Sequence, residues 1–188
     1  MKDIPNGRVG AMRITLVGPG GAGKTTIGAS LAERLRIAFV DLDRRFEARA
    51  GDISEYIDRF GYRAYARENV ETYRTLHNDE CRWVAALSSG FMTYPEDIHP
   101  EYPRLRMAIE ESPTTFVLIP SLDRDACGAE TVRRQLSRPF ARSAAAEKAV
   151  IGERFPLYTG LRARKIETMR PIGIVVDELF RLASPRPD

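Results

Sequence analysis

A glycine-rich segment followed by a lysine and a threonine is the part of this sequence whose residue types most directly predict chemistry. Residues 18–25 read GPGGAGKT and match the spacing G-x-x-x-x-G-K-[ST] in full. Glycines let successive backbone N–H groups converge on phosphate oxygens without a side chain in the way. Lys24 is expected to reach the β- and γ-phosphates of a nucleoside triphosphate, and the Thr25 hydroxyl to ligate Mg²⁺. The pattern therefore predicts a site for ATP and Mg²⁺. The expected nucleotide contacts are Gly18, Gly20, Gly21, Ala22, Gly23, Lys24, Thr25 and Thr26.

Two aspartates stand two residues apart at the end of the second predicted strand. Asp41 and Asp43 belong to the segment FVDLDRRFE over residues 39–47. Residues at the carboxyl end of a strand face the crevice in which open α/β sheets bind ligands. One carboxylate can organise water around Mg²⁺, and the other can orient an attacking hydroxyl or accept its proton. We assign Asp41 to the metal and Asp43 to the acceptor; the alternative is that Asp43 only caps the next helix.

Short apolar strands that alternate with helices must position these residues. Strands are predicted over residues 13–18, 38–41, 83–87, 114–119 and, more weakly, 163–169. Helices are predicted over 24–35, 53–59, 62–79, 123–137 and 171–182. The alternation predicts an α/β architecture: a three-layer P-loop kinase-type fold with a mostly parallel five-stranded sheet.

The segments outside these elements carry weaker signals. Residues 1–12 predict a flexible leader ahead of a single domain over 13–188. Residues 91–103 contain three prolines and predict an extended surface loop.

Composition narrows the possible partners. The 29 Lys and Arg against 26 Asp and Glu give a net charge of +3, and the basic residues are dispersed along the chain. Dispersed charge predicts no nucleic-acid partner. No apolar run approaches the length of a membrane span, so we expect no membrane partner and a cytoplasmic protein. We expect a monomer or a small homo-oligomer.

Several short motifs beyond the phosphate-binding loop follow the pattern of a known family. They are D-L-D at 41–43, I-x-E-Y-I-x-x-x-G at 53–61, R-P-F at 138–140 and E-R-F-P-L-Y at 153–158. With the phosphate-binding loop, in this order and over about residues 13–183, they make the chain resemble the shikimate kinase family. The resemblance implies an ATP-dependent kinase with a hydroxyl group as acceptor: shikimate, or a related hydroxylated acid or polyol.

The resemblance also implies roles at the matching positions. Lys24 and Arg138 would stabilise charge on the transferring phosphoryl group, and Asp43 would contact the acceptor hydroxyl. Arg154 would hold a carboxylate of the acceptor. Arg134 falls where the family places an arginine on adenine.

The family's lid corresponds to about residues 128–143 of this chain. The lid therefore includes both Arg134 and Arg138.

The acceptor side departs from the family pattern in two places. Where the family has F-R-x-x-E, counting from Gly61, this chain has Tyr65, Ala66 and Asn69, so the arginine and the glutamate are both absent. Arg63, on the same helical face, is a candidate replacement for the arginine. A register shifted by three residues would align Tyr62 and Arg63 with F-R, but it would place Ala66 at the glutamate, so neither register restores the whole motif.

The second departure is at residues 88–90. Where the family has three glycines, this chain has Ser88, Ser89 and Gly90. The two serine side chains would narrow the acceptor pocket or line it with hydroxyl groups. We expect Ser88, Ser89 and Gly90 to contact the acceptor.

Two other functions remain open at this point. A nucleoside monophosphate kinase shares a similar glycine-rich loop, but the D-L-D and E-R-F-P-L-Y motifs argue against it. A non-catalytic ATP-binding regulator would not need Lys24, Thr25, Asp43 and Arg138 together. A GTPase is disfavoured because the chain lacks a base-reading N-K-x-D motif.

Overall fold

The computed structural model describes residues 12–77, 82–137 and 143–184. The strands are β1 (Arg13–Val17), β2 (Ala38–Asp41), β3 (Trp83–Ala86), β4 (Thr115–Ile119) and β5 (Arg164–Glu167). The helices are α1 (Lys24–Leu35), α2 (Leu42–Ala50), α3 (Ile53–His77), α4 (Tyr102–Glu111), α5 (Arg124–Leu136), α6 (Ala144–Gly160) and α7 (Ile172–Ala183). Within the described ranges, no helix is both long enough and apolar enough to cross a membrane.

The five strands form one sheet in the order β2-β3-β1-β4-β5, and every described pair is parallel. The chain leaves β1 toward β2 on one side and later returns to β4 on the other. The loop that follows β1 therefore lies at the point where the strand order reverses. Ligands of open α/β sheets bind at such points.

The core has one layer on each face of the sheet, because side chains alternate along the strands. On one face, Ile14 and Leu16 pack with residues of α1 and α7. On the other face, Val17 and Ala85 pack with residues of α3 and with aromatic side chains that follow β3. The predicted three-layer arrangement is therefore present.

Helices α2, α4 and α6 are not predicted by the sequence pattern. The α2 sequence LDRRFEARA has few apolar residues, so it lacks a clear apolar stripe. Helix α4 begins among prolines, and α6 carries Pro156 in its interior, where proline usually argues against a helix. At these three segments the local sequence therefore argues against a helix, although packing in the folded protein stabilises one.

The prediction of an extended surface loop over residues 91–103 is wrong. Phe91–Thr93 and Glu96–Ile98 form short 3₁₀ turns, and Phe91, Met92, Tyr94 and Ile98 are buried. Proline interrupts helices without opposing burial, and the turns satisfy the backbone locally, as in the bond from Thr93 N–H to the Gly90 carbonyl. The segment is part of the core beneath the sheet.

His99 anchors this segment to α3. Its Nε2 lies 2.7 Å from Oε1 of Glu71, and its Nδ1 accepts a hydrogen bond from the Glu101 backbone N–H. The buried ring therefore has a partner at each nitrogen.

Helix α3 contains a kink at Gly61, where the sequence predicts a break between two helices. Gly61 has φ 84° and ψ 159°, a conformation open essentially to glycine alone. The kink separates the first two turns from the longer portion that packs against the sheet.

We expect Gly61→Ala to lower the free energy of unfolding by about 1–3 kcal/mol, because a Cβ at this φ and ψ is strained. The cost is purely conformational, since a Cβ at Gly61 would have no neighbour within 4 Å. Urea unfolding followed by circular dichroism measures it. Gly128→Ala in α5 is the matched control: its Cβ also meets nothing within 4 Å, and there alanine should stabilise the helix by about 1 kcal/mol. Equal effects at the two sites would contradict the account of the kink.

Candidate active site

The glycine-rich loop between β1 and α1 depends on glycine at specific positions. Gly18, Gly21 and Gly23 have φ of 146°, 71° and 88°, in the region that side chains disfavour. A Cβ on Gly18 would also collide with the carbonyl oxygen of Leu118 on β4. The loop is therefore held against the neighbouring strand.

Lys24 folds back over this loop. Its Nζ donates hydrogen bonds to the carbonyl oxygens of Gly18 and Pro19, at 2.7 and 2.9 Å. The ammonium group therefore lies at the loop, where it can neutralise an anion bound by the N–H groups.

Thr25 and Asp41 meet across the gap between α1 and β2. The Thr25 hydroxyl donates to Oδ2 of Asp41 at 2.7 Å, and Oδ1 of Asp41 accepts from the backbone N–H groups of Asp43 and Arg44 at 3.1 and 3.3 Å. Asp41 thus caps α2, and the alternative in which Asp43 is the cap is wrong. A hydroxyl beside a carboxylate is a ligand pair of the kind that Mg²⁺ accepts, with phosphates and water completing its shell.

Asp43 contacts α3 and the segment that follows β3. Its Oδ1 accepts a short hydrogen bond from the Ser88 hydroxyl and a longer one, 3.4 Å, from the Tyr65 hydroxyl. Burial and the negative charge of Asp43 raise the pKa of Tyr65 above its usual range, so the phenol keeps its proton and can donate it. The two aspartates at the end of β2 therefore contact different elements: Asp41 contacts α1, and Asp43 contacts α3 and the segment after β3.

Arg154 and the residues after β3 form the other wall of this region. Arg154 donates to the Ser89 hydroxyl at 3.2 Å and to the Tyr62 hydroxyl at 3.4 Å, and Tyr158 donates to the Ser89 carbonyl at 2.9 Å. A Cβ on Gly90 would lie 2.5 Å from the Tyr62 hydroxyl oxygen. Gly90 is therefore needed for Tyr62 and Arg154 to approach the loop this closely.

Arg63 does not join this group. Its guanidinium pairs with the carboxylate of Asp97, with N–O distances of 3.0 and 3.4 Å, and both side chains are exposed. Ala66, at the position of the missing arginine, is fully buried in the core under the sheet.

Arg134 binds the underside of the phosphate-binding loop. It donates to the Gly21 carbonyl at 3.0 Å, to the hydroxyl of Thr168 at 3.1 Å and to the carbonyl of Thr168 at 2.9 Å. Its Nε donates to Glu130 at 2.6 Å. The hydrogen bond from Arg133, opposed in part by burial and reinforced by the bond from Arg134, lowers the pKa of Glu130 to about 2.

The remaining predicted nucleotide contacts lie on or beside the loop. Thr26 is exposed on the first turn of α1, and Ala22 is buried beneath the loop. Gly20 lies so close to Gln135 that a Cβ there would be 2.6 Å from its Nε2. Arg138 lies outside the described residues, as does part of the predicted lid.

The comparisons with known proteins agree with this geometry. A family model described as "Shikimate kinase" matches residues 20–181. The chain belongs to the shikimate kinase family. It is therefore an ATP-dependent kinase that phosphorylates a hydroxyl group. Family membership argues against the two alternatives, a nucleoside monophosphate kinase and a non-catalytic regulator.

Relatives match over most of the chain. A shikimate kinase from Hahella chejuensis is 30% identical over 179 residues, covering 92% of this chain and 87% of the relative. One from Legionella pneumophila strain Corby is 32% identical over 159 residues, covering 82% and 84%.

Solved structures confirm the P-loop kinase fold. The shikimate kinase from Acinetobacter baumannii in complex with shikimate superposes with a TM-score of 0.70 at 23% identity, covering 92% of this chain and 90% of that one. A gluconokinase from Sinorhizobium meliloti has a TM-score of 0.51 at 16% identity, covering 93% and 92%. At these identities the likeness establishes the fold alone.

Three tyrosines to which the sequence analysis gives no site role lie close to Asp43 and Arg154. Tyr62 and Tyr65 contact Arg154 and Asp43, and Tyr94 joins them through Asn69. Part of this grouping can be predicted from the sequence, because positions 62, 65 and 69 have the spacing of one helical face. Tyr94 lies in the segment that the prolines predict to be a surface loop, so its position beside Asn69 cannot be predicted from the sequence.

We expect the Glu130 ion pairs to stabilise the protein in a pH-dependent way. A carboxyl group whose pKa is lower in the folded than in the unfolded state, where it is about 4.3, stabilises fully above the unfolded value and loses this effect as the pH falls through the folded value. The free energy of unfolding of the wild type should therefore exceed that of Glu130→Gln by a constant amount above about pH 5. The gap should close as the pH falls toward the folded pKa of about 2. Urea unfolding at stepped pH measures it, and a gap independent of pH would show that charge is not the cause.

Proposed function

We propose that this chain transfers the γ-phosphate of ATP, with Mg²⁺, to a hydroxyl group of shikimate or of a related hydroxylated acid or polyol. Asp43 faces the acceptor in this proposal. Lys24 and Arg138 stabilise the charge that develops on the transferring group.

The divergence of the two aspartates at the end of β2 is the observation that carries the proposal. Asp41 contacts Thr25, which follows the phosphate-binding lysine, while Asp43 contacts Ser88 after β3 and Tyr65 on α3. A protein that only bound a nucleotide would have use for the first carboxylate alone. The second carboxylate supports an acceptor hydroxyl that binds beside Asp43.

The nucleotide side supports binding of ATP with Mg²⁺. The backbone N–H groups of residues 20–23 and the N-terminus of α1 favour bound phosphate. Thr25 and Asp41 would hold Mg²⁺ directly or through water, and Arg134 would border the adenine. When bound, Mg²⁺ neutralises charge on the β- and γ-phosphates. Lys24 contributes a fixed positive charge at the same oxygens.

The acceptor side supports an acceptor with an anionic group. Arg154, beside Ser89 and Tyr62, is positioned to hold a carboxylate, while Ser88, Ser89 and Gly90 form the adjoining wall. Arg63 can contribute a second cation only by leaving Asp97. Exposed ion pairs contribute about 0–1 kcal/mol, so breaking the pair with Asp97 to bind a substrate carboxylate would cost Arg63 little free energy.

A lid over about residues 128–143 would complete the site when both substrates are bound. Phosphoryl transfer requires water to be excluded from the reacting groups. In this proposal the lid delivers Arg138 to the transferring group at that stage.

An acceptor screen tests the proposed function. Acceptor-dependent ADP release is measured with shikimate, other cyclitols, sugar acids, hydroxy acids and nucleoside monophosphates. We expect release with shikimate or a related hydroxylated acid or polyol. Release that is fastest with a nucleoside monophosphate, or no acceptor-dependent release despite tight ATP binding, would overturn the proposal.

We expect Lys24→Ala to lower kcat by about 10²–10³-fold, the usual effect of removing one preorganised electrostatic contact to the transition state. The ADP-release assay with the best acceptor measures it. Arg104→Ala removes a cation from the exposed face of α4 and should leave kcat unchanged. Near-normal turnover by Lys24→Ala would be incompatible with its proposed role.

We expect Asp43→Asn to lower kcat far more than it weakens ATP binding, because it removes the carboxylate on the acceptor side and leaves the phosphate-binding loop intact. Steady-state kinetics gives kcat, and calorimetry gives the dissociation constant of ATP. A collapse of ATP affinity would instead place Asp43 in the nucleotide site.

A further inference from the structure

Asn69 is the centre of a buried hydrogen-bond network behind Asp43. Its side chain is 0% exposed, and its Nδ2 lies 2.7 Å from the Ser88 hydroxyl oxygen, 2.9 Å from that of Tyr65 and 3.2 Å from that of Tyr94. Its Oδ1 has no hydrogen-bond partner among the described residues. The side-chain hydrogen bonds of Asn69 within the described residues are therefore all made by its donor nitrogen.

The protons of this network can be assigned by counting donors and acceptors. An ionised carboxylate only accepts hydrogen bonds, so the Ser88 and Tyr65 hydroxyl groups donate to Oδ1 of Asp43. Their oxygen lone pairs are then left to accept, and the two Nδ2 hydrogens of Asn69 supply the donors at the two shorter contacts. The hydrogen bonds therefore run from Asn69 through Ser88 and Tyr65 to Asp43.

The carboxylate also selects the orientation of the amide. With the amide turned over, Oδ1 of Asn69 would face the two hydroxyl oxygens, and a hydroxyl could satisfy it only by turning its proton away from Asp43. Such a turn would exchange a charge-assisted hydrogen bond for a weaker neutral one. The unpartnered Oδ1 is the consequence of orienting both hydroxyls toward Asp43.

Burial makes this orientation rigid. Ser88, Tyr65 and Tyr94 are 2%, 6% and 5% exposed, so the network is shielded from water, and hydrogen bonds in such surroundings are stronger. The hydrogen bonds to the Asp43 side chain within the described residues end at Oδ1. Oδ2 is therefore available to an acceptor hydroxyl.

We propose that Asn69 and Ser88 are positioning residues, which hold the Asp43 carboxylate by Oδ1 so that Oδ2 is presented to the acceptor. Both positions differ from the pattern of the family, where glutamate and glycine are expected. The inference rests on the proposed function of Asp43, and it gives the two departures a joint role: Asn69 orients the hydroxyl that Ser88 adds.

A double-mutant cycle with Asp43 tests the role of Ser88. Ser88→Ala should lower kcat by about 10- to 100-fold, as expected for loss of a hydrogen bond to a charged group, and should leave the KM for ATP unchanged. In the Asp43→Asn background, Ser88→Ala should change kcat by less than about twofold, since no carboxylate remains to be oriented. Asn69→Leu should behave like Ser88→Ala, and Ser88→Thr, which keeps a hydroxyl, should retain most of the activity.

Thr75→Ala is the matched control. It removes a hydroxyl that lies on α3 and is bonded to the helix's own Thr72 carbonyl, and it should leave kcat unchanged. Equal losses from Ser88→Ala in both backgrounds would show a merely structural role and overturn the proposal, as would an unchanged kcat in the wild-type background.

A measurement without any acceptor separates this proposal from the proposed function. In the NMR spectrum of the free protein, the Asn69 side-chain amide protons should exchange slowly with water, and Asp43→Asn should shift their resonances. Fast exchange, or resonances insensitive to Asp43→Asn, would overturn the network even if an acceptor is phosphorylated. If no acceptor is phosphorylated but the resonances respond as expected, the network stands and the proposed function fails.

Discussion

The parallel register of β1, β2 and β3, which makes the three strands end at the same edge of the sheet, determines where the proposed reacting groups of this protein lie. Leu16 on β1 and Asp41 on β2 both pair with Ala86 on β3. The next residues of each strand therefore leave the sheet side by side: the phosphate-binding loop from β1, Asp43 from β2 and Ser88 from β3. The contacts of Thr25 with Asp41 and of Ser88 with Asp43 result from this register, because each joins residues that leave neighbouring strands at one edge.

The nucleotide half of the site is predictable from sequence because its determinants are local. The glycines that need positive φ, the lysine and the threonine lie within eight consecutive residues, and the strand before them is a plain apolar run. The five strands and their parallel arrangement follow from the same short apolar runs. The kink at Gly61 is equally local, since it depends on one residue's backbone.

The acceptor half is not predictable in the same way, because its contacts join distant positions. Ser88 meets Asp43 across 45 residues, and Asn69 meets Tyr94 across 25. In the sequence, Asn69 and Ser88 read as two separate losses from the family pattern. In the structure they touch, and Ala66 packs into the core beside them. The sequence does not predict the burial of residues 91–98 for a related reason. The spacing of prolines indicates the local backbone conformation, but it carries no information about which face of the segment the protein covers.

The hydrogen bonds of Arg134 limit how a lid can move in this molecule. Helix α5 is joined at this residue to the carbonyl of Gly21 in the phosphate-binding loop and to Thr168 after β5. Swinging the whole helix would break these contacts together and would pull on the loop that must cradle the phosphates. A closing movement of the proposed lid that leaves the nucleotide site intact would therefore bend on the C-terminal side of Arg134. Of the proposed lid over about residues 128–143, the part of α5 up to Arg134 is therefore expected to stay with the phosphate-binding loop.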